Sequence, residues 1–142
     1  MARFKLDPVL KVRQIQEKKY KRDLTEIKVI RENAEKLLED LEMEKNKQIE
    51  TMEIEEKLRV AELQIQYAYL NAIVEQVEKQ KNALEKILIE EEKKRDVLIK
   101  TNQNKRMIEK LKQKFNSEIL KDFQRKEQLL LDSISHRTTL GR

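Results

Sequence analysis

Pro8 and Gly141 are the only proline and glycine in the chain, and they stand at opposite ends of it. Almost the whole of a 142-residue sequence therefore lacks the two residues on which tight turns draw, and sheet folds built on such turns are excluded in practice. Aromatic residues make up 4% and Trp is absent, too little bulk for a compact core. Yet 38% of the residues are apolar, more than ordinary disorder accommodates. The charged fraction of 42% far exceeds the roughly 25% of average proteins. Long helix burying a narrow seam satisfies all of these at once.

The seam is legible. Asp7 is placed to cap a helix and Pro8 to occupy its first position, where the missing N–H costs nothing. From there Tyr20, Leu24, Ile27, Arg31, Ala34, Leu38, Leu41, Lys45, Gln48 and Met52 step by four and three, a face for another helix. A second series follows: Leu63, Tyr67, Leu70, Val74, Val77, Lys81, Leu84, Leu88, Glu91, Arg95 and Leu98. Its phase is expected to shift near Thr101-Asn102-Gln103-Asn104, after which Ile108, Leu111, Phe115, Ile119, Phe123, Leu130 and Ile134 resume a stripe. A period near 3.5 predicts left-handed supercoiling.

One straight helix of this length would run about 200 Å and need a partner throughout. Folding back lets the two seams bury each other. The expectation is an all-α fold: one coiled-coil domain over residues 1–142, a long antiparallel two-helix hairpin. Its first arm would cover about 8–52, its turn would fall somewhere in 48–62, and a longer second arm would cover about 60–135.

Charge is distributed unevenly along such a hairpin. Residues 1–31 carry ten Lys/Arg and four Asp/Glu, residues 32–99 eleven and eighteen, and residues 100–142 eleven and five. The segments are thus +6, −7 and +6, within a total of +5. Antiparallel folding would join the outer two into one basic end of about +12, suited to an acidic protein surface or to nucleic acid.

Enzymatic chemistry finds no foothold. Without Cys there is no disulfide, thiolate metal site or cysteine nucleophile, which fits a reducing compartment. The single histidine, His136, reads as a solvated end residue. No Gly-rich phosphate loop, H-E-x-x-H or Glu-x-x-His pattern occurs. In Glu90-Glu91-Glu92, neighbouring acids on one helix point to different faces and do not converge. No cofactor is expected. The opening residues lack the apolar stretch of a secretory signal, and the longest apolar runs are three residues, far from the ~20 needed to span a bilayer. A soluble, cytoplasmic protein is the expectation.

Tyr67 falls in the second seam and reads as core. Tyr69, Ile73, Gln76 and Gln80 form a parallel line about 110° around the helix from it. On a two-helix rod that line would face outward, either as scattered surface apolarity or as a docking face for a partner protein.

The ends of the sequence carry a resemblance. Phe4-Lys5-Leu6-Asp7-Pro8-Val9-Leu10-Lys11-Val12-Arg13 is similar to the opening of the flagellar FliJ family. Arg125-Lys126-Glu127-Gln128-Leu129-Leu130-Leu131-Asp132-Ser133-Ile134 resembles its Glu-x-x-x-Leu-Asp-x-Ile ending, and Tyr67-Ala68-Tyr69-Leu70 with Ile73 and Val77 its central aromatic segment. The resemblance implies a non-enzymatic, chaperone-like part of the flagellar type III export apparatus, folded like the central stalk of rotary ATPases. Its implied partners are the hexameric export ATPase, the cytoplasmic domain of the export gate protein, and substrate chaperones. No transmembrane segment is implied, only peripheral association at the inner face of the membrane at the flagellar base. The family's gate-binding surface maps onto Leu37, Leu41, Tyr69, Ile73, Gln76 and Gln80. Where some relatives carry aromatics further along the first arm, this chain has Glu44 and Gln48. Arg13 and Arg125 are the candidate contacts of the ATPase-binding end. Two other readings stay open: a nucleic-acid-binding coiled coil using the basic end, and a rotor-stalk subunit of a vacuolar-type ATPase. The first lacks an Arg/Gly-rich tract or recognition motif, and the second usually carries additional length.

Overall fold

The computed structural model describes residues 3–54 and 59–140, with side chains as far as Arg137. It holds two helices, α1 (Asp7–Ile54) and α2 (Val60–Leu140), and no strand among the described residues. Most of the stability of such helices comes from the face each packs on its partner. The partners run antiparallel, and the chain is an all-α helical hairpin. Of the segment 48–62 in which a turn is expected, residues 48–54 belong to α1 and 60–62 to α2. Residues 55–58 lie outside the described residues.

The start of α1 differs from expectation by one position. The Leu10 N–H donates to the Leu6 carbonyl (2.8 Å) and the Asp7 N–H to that of Phe4 (3.1 Å). Asp7 is therefore the first residue of α1 rather than its cap, and Pro8 the second. The Asp7 carboxylate is engaged across the seam instead, 2.8 Å from the Lys112 ammonium. That bond replaces the local capping bond the sequence suggests.

The helices divide into two compact units, one of residues 19–98 and one joining the chain's beginning to residues from Ile99 onward. In the first, every α1 position of the expected seam from Tyr20 to Met52 is buried or half-buried. Its core is Leu24, Ile27 and Ala34 against Ile73 and Val77.

The α2 face is a correction. The covered positions are Gln66, Leu70, Ile73, Val77, Gln80, Leu84, Ile87, Glu91, Lys94 and Leu98. Only every second position of the expected series is among them. Tyr67, Val74, Lys81, Leu88 and Arg95 are exposed, and the positions just before them are covered. Leu70, Val77, Leu84, Glu91 and Leu98 recur every seven residues, and either neighbouring set completes a four-three rhythm with them. The set at 67, 74 and 88 is locally the more apolar, which is why it reads as core. Packing on α1 selects the other set.

Ion pairs within and between the helices explain how a polar seam holds, two of them joining α1 to α2. The Glu91 carboxylate, 4% exposed as a residue, meets Arg31 Nε at 2.7 Å and Arg95 Nη2 at 3.3 Å. Glu35 holds the same Arg31 at 3.1 Å, and this hydrogen bond, ahead of the Glu91 charge, moves the guanidinium pKa above its ordinary value. Lys81 and Glu42 form a looser pair at 4.0 Å. Glu90 and Glu92 are exposed, so the three adjacent acids do point to different faces.

In the unit containing the chain ends, Leu10, Glu17 and Thr101 are buried. Lys105 Nζ lies 2.6 Å from Glu17 Oε2, and the rings of Phe4 and Phe115 meet at 5.5 Å. The covered α2 positions include Thr101, Lys105, Ile108, Lys112 and Phe115, with Asn102 and Glu109 half-buried beside them, so the four-three rhythm continues and the expected phase shift does not occur. Leu111 is half exposed. Past Phe115 the side chains from 116 to 137 are exposed, among them Ile119, Phe123, Leu130 and Ile134. These were expected to continue the buried stripe. Phe4 and Phe115 are the last pair in contact along the seam among the described residues.

Candidate docking surface

Leu37 and Leu41 on α1 and Gln76, Lys79, Gln80 and Ala83 on α2 line one shallow groove. Helical spacing accounts for the grouping, since each set repeats at three or four residues and so lies along one side of its helix. Leu37 is half exposed and Leu41 half-buried, so the apolar floor is open to a partner. The Gln80 side-chain amide donates to the Ala34 carbonyl at 3.2 Å and closes the groove from below. The small side chain at Ala34 is what admits this approach to the α1 backbone.

Four of the six residues assigned to a gate-binding surface therefore share the groove. The other two do not. Ile73 is 3% exposed and belongs to the core beneath, which corrects the expectation that it faces outward beside Tyr69. Its burial follows from the seam phase described above. Tyr69 is 47% exposed, and its hydroxyl donates to the Glu44 carboxylate on α1. Lys79 and Ala83 were missed by the sequence reading, although both follow from Gln76 and Gln80 once the helical phase is right.

The Glu44 bond raises the Tyr69 pKa above its ordinary 10.0, with partial burial and the carboxylate charge adding to it. The bond requires a protonated phenol, so its contribution is intact below that ordinary value and disappears as pH rises through the displaced one. Ultraviolet titration of Glu44→Gln should show one tyrosine ionising at lower pH than in the parent. An unchanged profile would mean that the bond does not persist in solution.

Arg13 and Arg125 are not brought to one spot. Arg13 Nη1 donates to Gln16 Oε1 at 3.1 Å, and its stem lines an apolar depression with Pro8, Val9 and Val12. Arg125 is largely exposed, 4.0 Å from Asp122. It lies about 15 Å along α2 beyond Phe115, at 1.5 Å per residue. The unit holding both carries sixteen Lys/Arg against seven Asp/Glu, a net +9. The unit of residues 19–98 is −4 by the same count.

Among the described residues no cluster of three or more His, Cys, Asp or Glu side chains could hold a metal, and no helix is long and apolar enough to cross a membrane. An antiparallel helix pair with a groove lined from both arms defines a helical-hairpin protein. The family model of the flagellar FliJ protein matches residues 1–142, the whole chain, and the chain belongs to that family. It is accordingly a component of the flagellar protein export apparatus, from a family that is not catalytic. No curated protein and no solved structure matches the chain.

Proposed function

We propose that the chain couples the hexameric export ATPase to the cytoplasmic domain of the export gate and escorts substrate chaperones, working at the inner face of the membrane. The observation that carries this reading is the groove: side chains assigned to gate binding on two distant stretches of sequence, Leu37 and Leu41 with Gln76 and Gln80, line one depression. Tyr69 extends this surface along α2, and Ile73 supports it from within. The +9 unit, with Arg13 and Arg125, is the complement of an acidic ring, and charge complementarity of this kind accelerates encounter more than it tightens the complex.

The test has two arms. ATPase turnover with and without the chain, measured across salt concentrations, should show stimulation at low salt that fades as salt rises. Leu37→Ala with Tyr69→Ala should weaken gate binding by about 10- to 100-fold, as loss of exposed apolar and aromatic anchors commonly does. The hairpin's melting should stay nearly constant, because both side chains are about half exposed. Absence of any effect on turnover at low salt, or gate binding indifferent to the double substitution, would overturn the corresponding half of the proposal.

A further inference from the structure

Between Gln66 and Leu98, α2 carries two seams that share five members. Leu70, Val77, Leu84, Glu91 and Leu98 belong to both. The set that packs on α1 adds Gln66, Ile73, Gln80, Ile87 and Lys94, while the exposed set adds Tyr67, Val74, Lys81, Leu88 and Arg95. Either set completes a four-three face. At 100° per residue the midlines of the two faces lie about 50° apart around the helix.

The exposed set is equipped for burial. It offers three apolar side chains, Tyr67, Val74 and Leu88, against Ile73 and Ile87 in the packed set. Its two cations already have carboxylates beside them: Lys81 lies 4.0 Å from Glu42 and Arg95 lies 3.3 Å from Glu91. Neither would enter the seam as a lone charge, the circumstance that makes such burial costly. Glu91 is common to both sets, so its 2.7 Å contact with Arg31 can act as the pivot. The Gln80 amide on the Ala34 carbonyl, at 3.2 Å, belongs to the packed set and fastens it.

We propose that α2 has two packed states on α1, related by a roll of about 50° around its own axis, with the Gln80–Ala34 bond latching the one described above. In the second state Val74 and Leu88 take the places of Ile73 and Ile87, and Val77 stays within the core. The roll carries Gln76 and Gln80 away from Leu37 and Leu41, so the groove lined by both helices exists in the latched state only. A partner seated in the groove holds α2 latched, and rolling ejects it. The roll follows from packing alone, whereas the ejection rests on the docking function proposed above.

The chain has no cysteine, so single introduced thiols report the state of α2. Ile73 and Val77 are comparably buried, at 3% and 4% exposure, but only position 73 surfaces on rolling. In the full chain without a partner, Ile73→Cys should react with a maleimide at least about 10-fold faster than the same variant unfolds globally. That rate should barely depend on denaturant, because rolling exposes little new surface. Val77→Cys should react only through global unfolding, with its steep denaturant dependence. Adding Lys81→Leu gives the second seam a fourth apolar member and should speed labelling at 73 by about 10-fold. Adding Leu88→Gln should slow it, and neither change should let position 77 react ahead of unfolding. A thiol at 73 that waits for global unfolding would overturn the proposal and leave α2 with one packed state. So would equal labelling at 73 and 77 ahead of unfolding, which marks separation of the helices, or a rate at 73 indifferent to both added substitutions. None of these outcomes depends on gate binding, which is measured separately.

Discussion

Replacing Ile73 by alanine is expected to destabilise the hairpin by about 2–4 kcal/mol, the usual cost of emptying a well-packed isoleucine site. Ile73 is 3% exposed and shares its core with Val77, Leu24, Ile27 and Ala34. For a chain of this size that is a fall in melting temperature of roughly 5–15 °C. The neighbouring Val74→Ala, at a position 42% exposed, should move melting by no more than about a quarter as much. This contrast separates the two helical phases that the sequence allows. Equal effects at 73 and 74 would show that α2 is rotated relative to the description above. Ile73→Ala is also expected to weaken gate binding only in proportion to lost folding, whereas Tyr69→Ala should weaken it in a chain that melts normally.

The second large effect concerns the charged layer. Glu91→Leu removes the carboxylate that meets Arg31 at 2.7 Å across the seam and leaves that guanidinium with only Glu35 on its own helix, while Arg95 is exposed to solvent. Removing one partner of a buried pair is far more damaging than replacing both, so melting should fall by about 10 °C or more. Adding Arg31→Leu should recover much of the loss by turning the layer apolar. The comparison of single and double variants by thermal melting reads the coupling directly. If Arg31→Leu gives no recovery, the layer is held by contacts other than this pair.

How far these features could be read in advance depended on whether one arm alone determined them. The α1 seam was legible, down to its polar members Arg31, Lys45 and Gln48, because one four-three series there is clearly better than its neighbours. On α2 two series compete. Tyr67, Val74 and Leu88 give one series three apolar members against Ile73 and Ile87 in the other, and nothing local reveals that Gln80 spends its amide on the Ala34 carbonyl. The error carried forward. With the phase displaced by one residue, Ile73 faced outward and a break had to be placed near Thr101. The groove was recovered in part because Leu37, Leu41, Gln76 and Gln80 sit near the edges of their seams, where a small rotation still leaves them accessible. Asp7 was assigned to capping for the same kind of reason: its engagement with Lys112 joins residues over a hundred positions apart, and no periodicity foretells it.

The polar layers also give the molecule two electrostatic regimes that respond differently to ionic strength. Glu17 with Lys105 and Glu91 with Arg31 lie largely within the seam, where mobile ions penetrate poorly and attraction between the charges persists. The +9 of the terminal unit is spread over solvated side chains such as Arg125, whose reach shrinks to about 8 Å at physiological salt. Raising salt should therefore release a docked partner while the helix pair stays assembled. A cell that varies its internal ionic strength, as bacteria do under osmotic stress, would retune the lifetime of that contact without unfolding the component that makes it.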